Sequence, residues 1–173
     1  MRLRPIFARL CVLITALFGL AACSPPPSAV DLIYPSSPQT IATKLQDLGY
    51  RANIIEDNLG DPLIETAMEG LTVLIFFYGC EDNRDCKAIQ FWTGFDNDGG
   101  VSADYLNGWN DAVALGLAAV NDDSVYVVHY VRGDNGITGT AFEETIRLWR
   151  LVITDFKDFL ADAPDPQARG IET

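Results

Sequence analysis

The strand-like stretches of this chain are joined by connections too short for parallel crossovers, and that limits the fold more than any other feature. Leu63 to Met68 is separated by only Glu69-Gly70 from the apolar run Leu71-Thr72-Val73-Leu74-Ile75-Phe76-Phe77-Tyr78. A parallel connection needs about a dozen residues or more, so these neighbours must pair antiparallel. The run Leu71–Tyr78 is too apolar for an edge and is expected at the centre of a sheet. Tyr50 to Asp57, with Ala52 and Ile54, reads as a strand that turns at Asn58-Leu59-Gly60-Asp61 into Leu63–Met68. Lys87 to Phe95 is a further strand, aromatic through Phe91, Trp92 and Phe95. Leu115–Val120 and Val125–Arg132 form a hairpin about Asn121-Asp122-Asp123.

Three helices complete the pattern. Ser37-Pro38 supplies an N-cap and a proline at the first helical position, Ile41, Leu45 and Leu48 recur at spacings of four and three, and Gly49 stops the helix. Ser102 caps a short helix holding Leu106 and Trp109. The last element is the clearest: Thr140-Ala141-Phe142-Glu143 reads as a capping box, and Phe142, Ile146, Trp149, Ile153, Phe156 and Leu160 form one stripe. The order is helix, four strands, helix, hairpin, helix. It predicts an α+β fold with a mainly antiparallel sheet and three helices.

The first 22 residues belong to a different regime. Met1 to Arg9 carries Arg2, Arg4 and Arg9 and no acid, and Leu10 to Leu20 is apolar apart from Thr15 and Gly19. That run suits a signal peptide and is shorter than the roughly 20 residues that span a bilayer. It ends in Leu20-Ala21-Ala22-Cys23, which resembles a bacterial lipobox with Cys23 as the lipidated residue. Ordinary secretory cleavage beside an accidental cysteine is the alternative. Ser24 after the cysteine implies, by the Gram-negative sorting rule, delivery to the outer membrane, with the body facing the periplasm. Two or more acyl chains hold a protein firmly where one does not. Ser24-Pro25-Pro26-Pro27-Ser28 and Pro35-Ser36-Ser37-Pro38 predict an extended tether. The expected layout is signal peptide 1–22, Pro/Ser-rich tether 23–36, α+β domain 37–161 and acidic flexible tail 162–173.

Charge excludes several partners. The 173-residue chain carries 12 basic and 24 acidic residues; without the three arginines of the export segment it stands at −15. Such a body is repelled by phosphate backbones and gains nothing from anionic headgroups. Nucleic acid is therefore not an expected partner, and membrane contact is expected through the lipid anchor alone. Residues 23–173 suffice for one domain that buries roughly 68–70% of its unfolded-chain surface.

Few residues carry chemistry. Cys80 and Cys86 lack the further ligands that zinc needs, since the body offers only His129 and no second cysteine pair. Their spacing exceeds the Cys-x-x-Cys of redox couples, and in an oxidising periplasm they are expected to form a structural disulfide. His129, between Val128 and Tyr130, reads as a plain strand residue. Asp96-Asn97-Asp98-Gly99-Gly100 lacks the Asp or Asn and the glycine that a calcium loop needs at Gly100 and Val101, and is read as a turn. Gly133, Gly136 and Gly139 lack the Lys-Ser or Lys-Thr of a phosphate loop and are expected to reverse the chain before the last helix. No catalytic residue, metal site or cofactor is expected.

Gly79-Cys80, Cys86, Gln90-Phe91 and Phe95, followed by Tyr105-Leu106-Asn107-Gly108-Trp109-Asn110 and an amphipathic helix bearing Trp149, resemble the YbjN family across roughly residues 37–161. The resemblance implies a fold similar to type III secretion chaperones, whose sheet and helices bind partners rather than turn over substrate. It also implies a regulator or binding module. Where relatives often carry basic and aromatic residues after the Trp-Asn pair, this chain has Asp111-Ala112-Val113-Ala114-Leu115. Asn107, Trp109 and Asn110 are either a polar recognition surface or the cap and buttress of the short helix. Two functions remain open. One is a non-enzymatic, lipid-anchored envelope protein that binds a protein partner as a regulatory or chaperone-like module. The other is an envelope hydrolase using an acidic carboxylate pair.

Overall fold

The computed structural model describes residues 31–97, 100–121 and 123–164. The export segment with Cys11 and Cys23, the tether before Asp31, Asp98, Gly99, Asp122 and the tail beyond Pro164 lie outside the described residues.

The chain runs β1 (Leu32–Ile33), α1 (Pro38–Asp47), β2 (Asn53–Glu56), β3 (Pro62–Met68), β4 (Leu71–Tyr78), β5 (Ala88–Asp96), α2 (Ala103–Ala112), β6 (Leu117–Val120), β7 (Ser124–Arg132), β8 (Ile137–Thr138) and α3 (Gly139–Ala161). Strands β2 to β7 make one sheet in the order β2-β3-β4-β5-β7-β6, antiparallel at every pairing. The short β1 and β8 pair with each other, Ile33 opposite Ile137. The fold is α+β, and β4 and β5 are the central strands, as the apolar run predicts. Between β3 and β4 the chain turns on Glu69 and Gly70, whose φ angles of 52° and 78° are the two positive values of a hairpin turn matched to strand twist.

The helix ends follow local chemistry. At the end of α1 the Tyr50 N–H donates to the Leu45 carbonyl at 3.0 Å and the Gly49 N–H to Gln46 at 2.9 Å, with Gly49 at φ 89°. That is a Schellman cap, and the positive φ is why a glycine stands there. Ser102 caps α2, its Oγ accepting the Tyr105 N–H at 3.2 Å. The cap of α3 corrects the sequence expectation: Thr138, not Thr140, accepts the Ala141 N–H at 3.1 Å. Extended pairing of β8 with β1 ends at Thr138, so the helix starts at Gly139. Glu143, read as the partner in a capping box, instead meets Lys44 of α1 at 2.8 Å. Ordered structure also begins inside the stretch read as tether: Ile33 is buried, and the Gly139 N–H donates to the Asp31 carbonyl at 2.9 Å.

The helices line one side of the sheet. Ile41, Ala42 and Leu45 of α1 share a buried cluster with Ile64, Met68 and Val73. From α3, Phe142 and Trp149 pack on Phe91 with ring centroids 6.5 and 5.7 Å away, and Phe156 packs on Phe95 at 5.8 Å. Trp109 of α2 meets Phe156 edge-on at 4.9 Å. Each fully buried large side chain of this kind contributes about 1.5–3 kcal/mol. Among the described residues no helix is long and apolar enough to cross a membrane.

Candidate functional site

In an antiparallel sheet, directly opposed residues share a face, and successive residues alternate between faces. One face holds the row Ile64–Ile75–Phe91–His129 and lies under the helices. The other holds the rows Leu74–Trp92–Val128–Leu117 and Phe76–Gln90–Tyr130. No helix covers this second face among the described residues. It is nonetheless apolar: Leu74, Phe76, Trp92, Tyr126 and Val128 are half-buried, while Ile55, Tyr78, Leu117 and Tyr130 are exposed.

Two aromatic groups organise it. Trp92 folds over its neighbour two residues on, and a Cβ built on Gly94 would overlap the indole ring, so only glycine leaves room for the ring over the strand. Tyr126, directly opposite Gly94, stacks with Trp92 at 6.0 Å between centroids and 29° between planes. At the other end Tyr78 and Tyr130 stand 6.3 Å apart, and the Tyr78 hydroxyl donates to Gln90 Oε1 at 3.1 Å. Burial raises the Tyr78 phenol above its ordinary pKa, and the nearby Asp57 carboxylate adds to the effect. The charged residues of the face are few. Glu65 and Asp96 project from β3 and β5, Arg51 stands beside β2, and Arg132 is held by Asp134 through two hydrogen bonds of 2.9 and 2.8 Å.

The end of the sheet near Tyr78 is tied down. Cys80 and Cys86 are joined by a disulfide. Inside it, Glu81 and Arg84 exchange backbone hydrogen bonds across Asp82 and Asn83, which take φ angles of 51° and 60°. The Asn83 amide then donates to the Leu59 carbonyl and to Asp61, both at 3.0 Å, clasping this loop to the β2–β3 turn.

The residues singled out from sequence are placed as follows. Trp109 is 4% exposed and its Nε1 donates to the Gly116 carbonyl at 2.8 Å. Asn110 bonds the Ala118 carbonyl and N–H at 3.0 and 2.7 Å. Of the two readings, Trp109 and Asn110 take the buttress, fixing α2 to the start of β6; Asn107 is exposed on α2. A polar pair around a tryptophan marks a buried hydrogen-bonded joint as well as it marks an exposed surface, which is why the sequence leaves both readings open. His129 lies half-buried on β7, and burial lowers its pKa below the ordinary value. Asn97 closes the turn after β5, its Oδ1 accepting the Val101 N–H at 2.8 Å. Gly136 takes φ 85° in the reversal before β8.

No carboxylate pair of the kind a hydrolase needs is assembled from the ion-paired acids. Asp134 and Glu144 are each held below the ordinary carboxylate range by the hydrogen-bonded guanidinium beside them, Arg132 and Arg147, the opposite of what a general acid at neutral pH requires. Among the described residues no group of three or more His, Cys, Asp or Glu is placed to hold a metal ion. A surface hollow of about 280 Å³ beside α1 is lined by Asp31 and Lys44, but Lys44 is already engaged by Glu143. The open face was missed in the sequence, although alternation in Trp92-x-Gly94 and Tyr126-x-Val128-x-Tyr130 carried the signal.

No curated protein and no solved structure matches the chain. The sequence profile of one family, described as "Putative bacterial sensory transduction regulator", matches residues 37–162, from the cap of α1 to the end of α3. With most of its length covered, the chain belongs to the YbjN family.

Proposed function

We propose that this protein is a non-enzymatic, lipid-anchored module of the bacterial envelope that binds another protein through the open face of its sheet. The observation that carries the binding reading is the uncovered row Leu74–Trp92–Val128–Leu117 with the Tyr78–Tyr130 pair beside it. Aromatic and aliphatic side chains left in contact with water over most of a sheet face mark an interaction surface. Membership of a family of regulators points the same way. The anchor is Cys23, carried by the lipobox-like Leu20-Ala21-Ala22-Cys23, and Ser24 directs the protein to the outer membrane, facing the periplasm.

Photo-crosslinking in live cells tests the binding reading. A photoreactive residue at position 130 should capture a specific protein, and one at the exposed helix position 151 should not. Equal capture at both sites, or turnover of an envelope substrate that is abolished by a single carboxylate-to-amide change, refutes it. Mass analysis of the mature N-terminus tests the anchor. A lipid-modified Cys23 is expected, with precursor accumulating in Cys23→Ala; a free, unmodified terminus elsewhere overturns it.

A further inference from the structure

We infer that the segment received by the open sheet face is cationic and apolar, and belongs to a soluble protein partner. The inference rests on the binding reading above and adds the chemistry of the occupant. Its first support is the composition of the face. Trp92 passes over Gly94 with Tyr126 stacked against it, so a half-buried indole rather than a pleat of aliphatic side chains tops this part of the face. An indole face attracts lysine and arginine, and the attraction grows as the pair is desolvated.

The second support is charge. Asp57 acts on Tyr78, and Glu65 and Asp96 lie on strands of the face itself. At the clasped end, no ion pair engages Asp57, Asp61, Asp82 or Asp85 among the described residues. Arg132 is paired with Asp134, which leaves Arg51, next to the edge strand β2, and Arg84, in the clasped loop, as the opposing charges, outnumbered by these acids. An acid-margined apolar surface steers and holds a segment that carries positive charges between apolar residues.

The same charge argues against the other occupants. Two copies meeting face to face would bring two bodies of −15 together, each with its acidic margins opposed. An anionic bilayer would repel the face for the same reason.

The test uses the mature chain to Thr173 with Cys23→Ser, so that no lipid is attached. The probe is a short peptide alternating lysine with leucine, compared with a counterpart carrying glutamate in place of lysine. Trp109 and Trp149 are 4% and 0% exposed, so a change in the solvent-sensitive part of tryptophan emission reports Trp92. The lysine peptide should shift that emission and bind at least about tenfold tighter than the glutamate peptide, weakening roughly tenfold as salt rises from 0.05 to 0.3 M. By calorimetry, Trp92→Ala should weaken binding about tenfold or more. Leu117→Lys, at a position 61% exposed and therefore harmless to folding, should weaken it as well.

Equal, Trp92-dependent binding of both peptides overturns the charge assignment and leaves the open-face reading intact. Lysine-peptide binding indifferent to both substitutions overturns the open-face reading itself. Self-association, or binding to anionic vesicles, that Trp92→Ala abolishes assigns the face to a second copy or to a membrane and overturns this inference. So does failure of the lysine peptide to bind at all.

Discussion

The two faces of the six-stranded sheet are built from similar residues and have opposite fates. Under the helices, Val73, Ile75, Phe77, Ile89, Phe91 and Val127 are all at most 2% exposed and pack on α1 and α3. On the other side Leu74, Phe76, Trp92, Tyr126 and Val128 are nearly as apolar, yet nothing within the described chain completes their burial. The covered face lies beneath aliphatic and aromatic side chains of the buried cluster. On the open face, Trp92 folds over Gly94 and Tyr78 bonds Gln90, so these two aromatics are supported by their own sheet. A sheet that braces its uncovered aromatics in place keeps them rigid for a partner, and a rigid surface loses little entropy on binding.

Breaking this contrast is straightforward. Trp149→Ala should cost about 3–5 kcal/mol in urea unfolding, because it empties a fully buried site. Trp92→Ala should cost only about 1–2 kcal/mol, the transfer value of a half-buried ring. Equal losses would make the open face part of the core and end the comparison. Removing the disulfide with Cys80→Ser and Cys86→Ser is next in size. The seven-residue loop from Cys80 to Cys86 is worth about 2.3 kcal/mol in the chain-entropy account. The effect should be local, with faster amide exchange at Asn83 and Leu59 and none in α3.

Gly94→Ala separates shape from stability. Replacing a strand glycine gains roughly 0.5–1 kcal/mol, which offsets the displaced indole, so unfolding should change by less than about 1 kcal/mol. Trp92 emission should nonetheless move to longer wavelength. An unchanged spectrum would mean that the ring does not lie on the glycine.

The smallest effect belongs to His129, on the covered row beside Phe91. Burial lowers its folded pKa below the unfolded value, so the unfolded chain binds the proton more readily. Stability is therefore complete above about pH 6.5 and declines as pH falls from there towards the folded pKa. His129→Gln should flatten the urea midpoint between pH 7.5 and 5. Asp134 and Glu144, held low by their arginines, act in a lower window: their contribution is present above about pH 4 and is lost as pH falls further. A midpoint that still drops between pH 7.5 and 5 in His129→Gln would assign the slope to another group.

What could be read from the sequence follows from the length and period of each signal. The stripe Phe142 to Leu160 and the eight-residue run of β4 were legible because many residues repeat the same message. That run also concealed the open face. With every residue from Leu71 to Tyr78 apolar except Thr72, no alternation distinguishes Val73, Ile75 and Phe77, which face the helices, from Leu74, Phe76 and Tyr78, which do not. The two-residue strands β1 and β8 carry no period at all. Their pairing moved the cap of α3 from Thr140 to Thr138, since local capping rules cannot see a strand contact made with Leu32, 106 residues earlier in sequence. At α2, the Trp-Asn pair was legible as important and ambiguous in role; only the distance from Asn110 to Ala118 decides that it buttresses.

The pairing of β1 with β8 also sets a compass bearing. It fixes Asp31 beside α1 and the first turn of α3, in the helical layer and away from the open sheet face. From Cys23 to Asp31 the backbone can extend at most about 26–29 Å at 3.3–3.6 Å per residue. If Cys23 carries the proposed lipid, this reach holds the helical layer towards the bilayer. On that proposal the aromatic face points away from the bilayer, and a partner reaches it from the aqueous side.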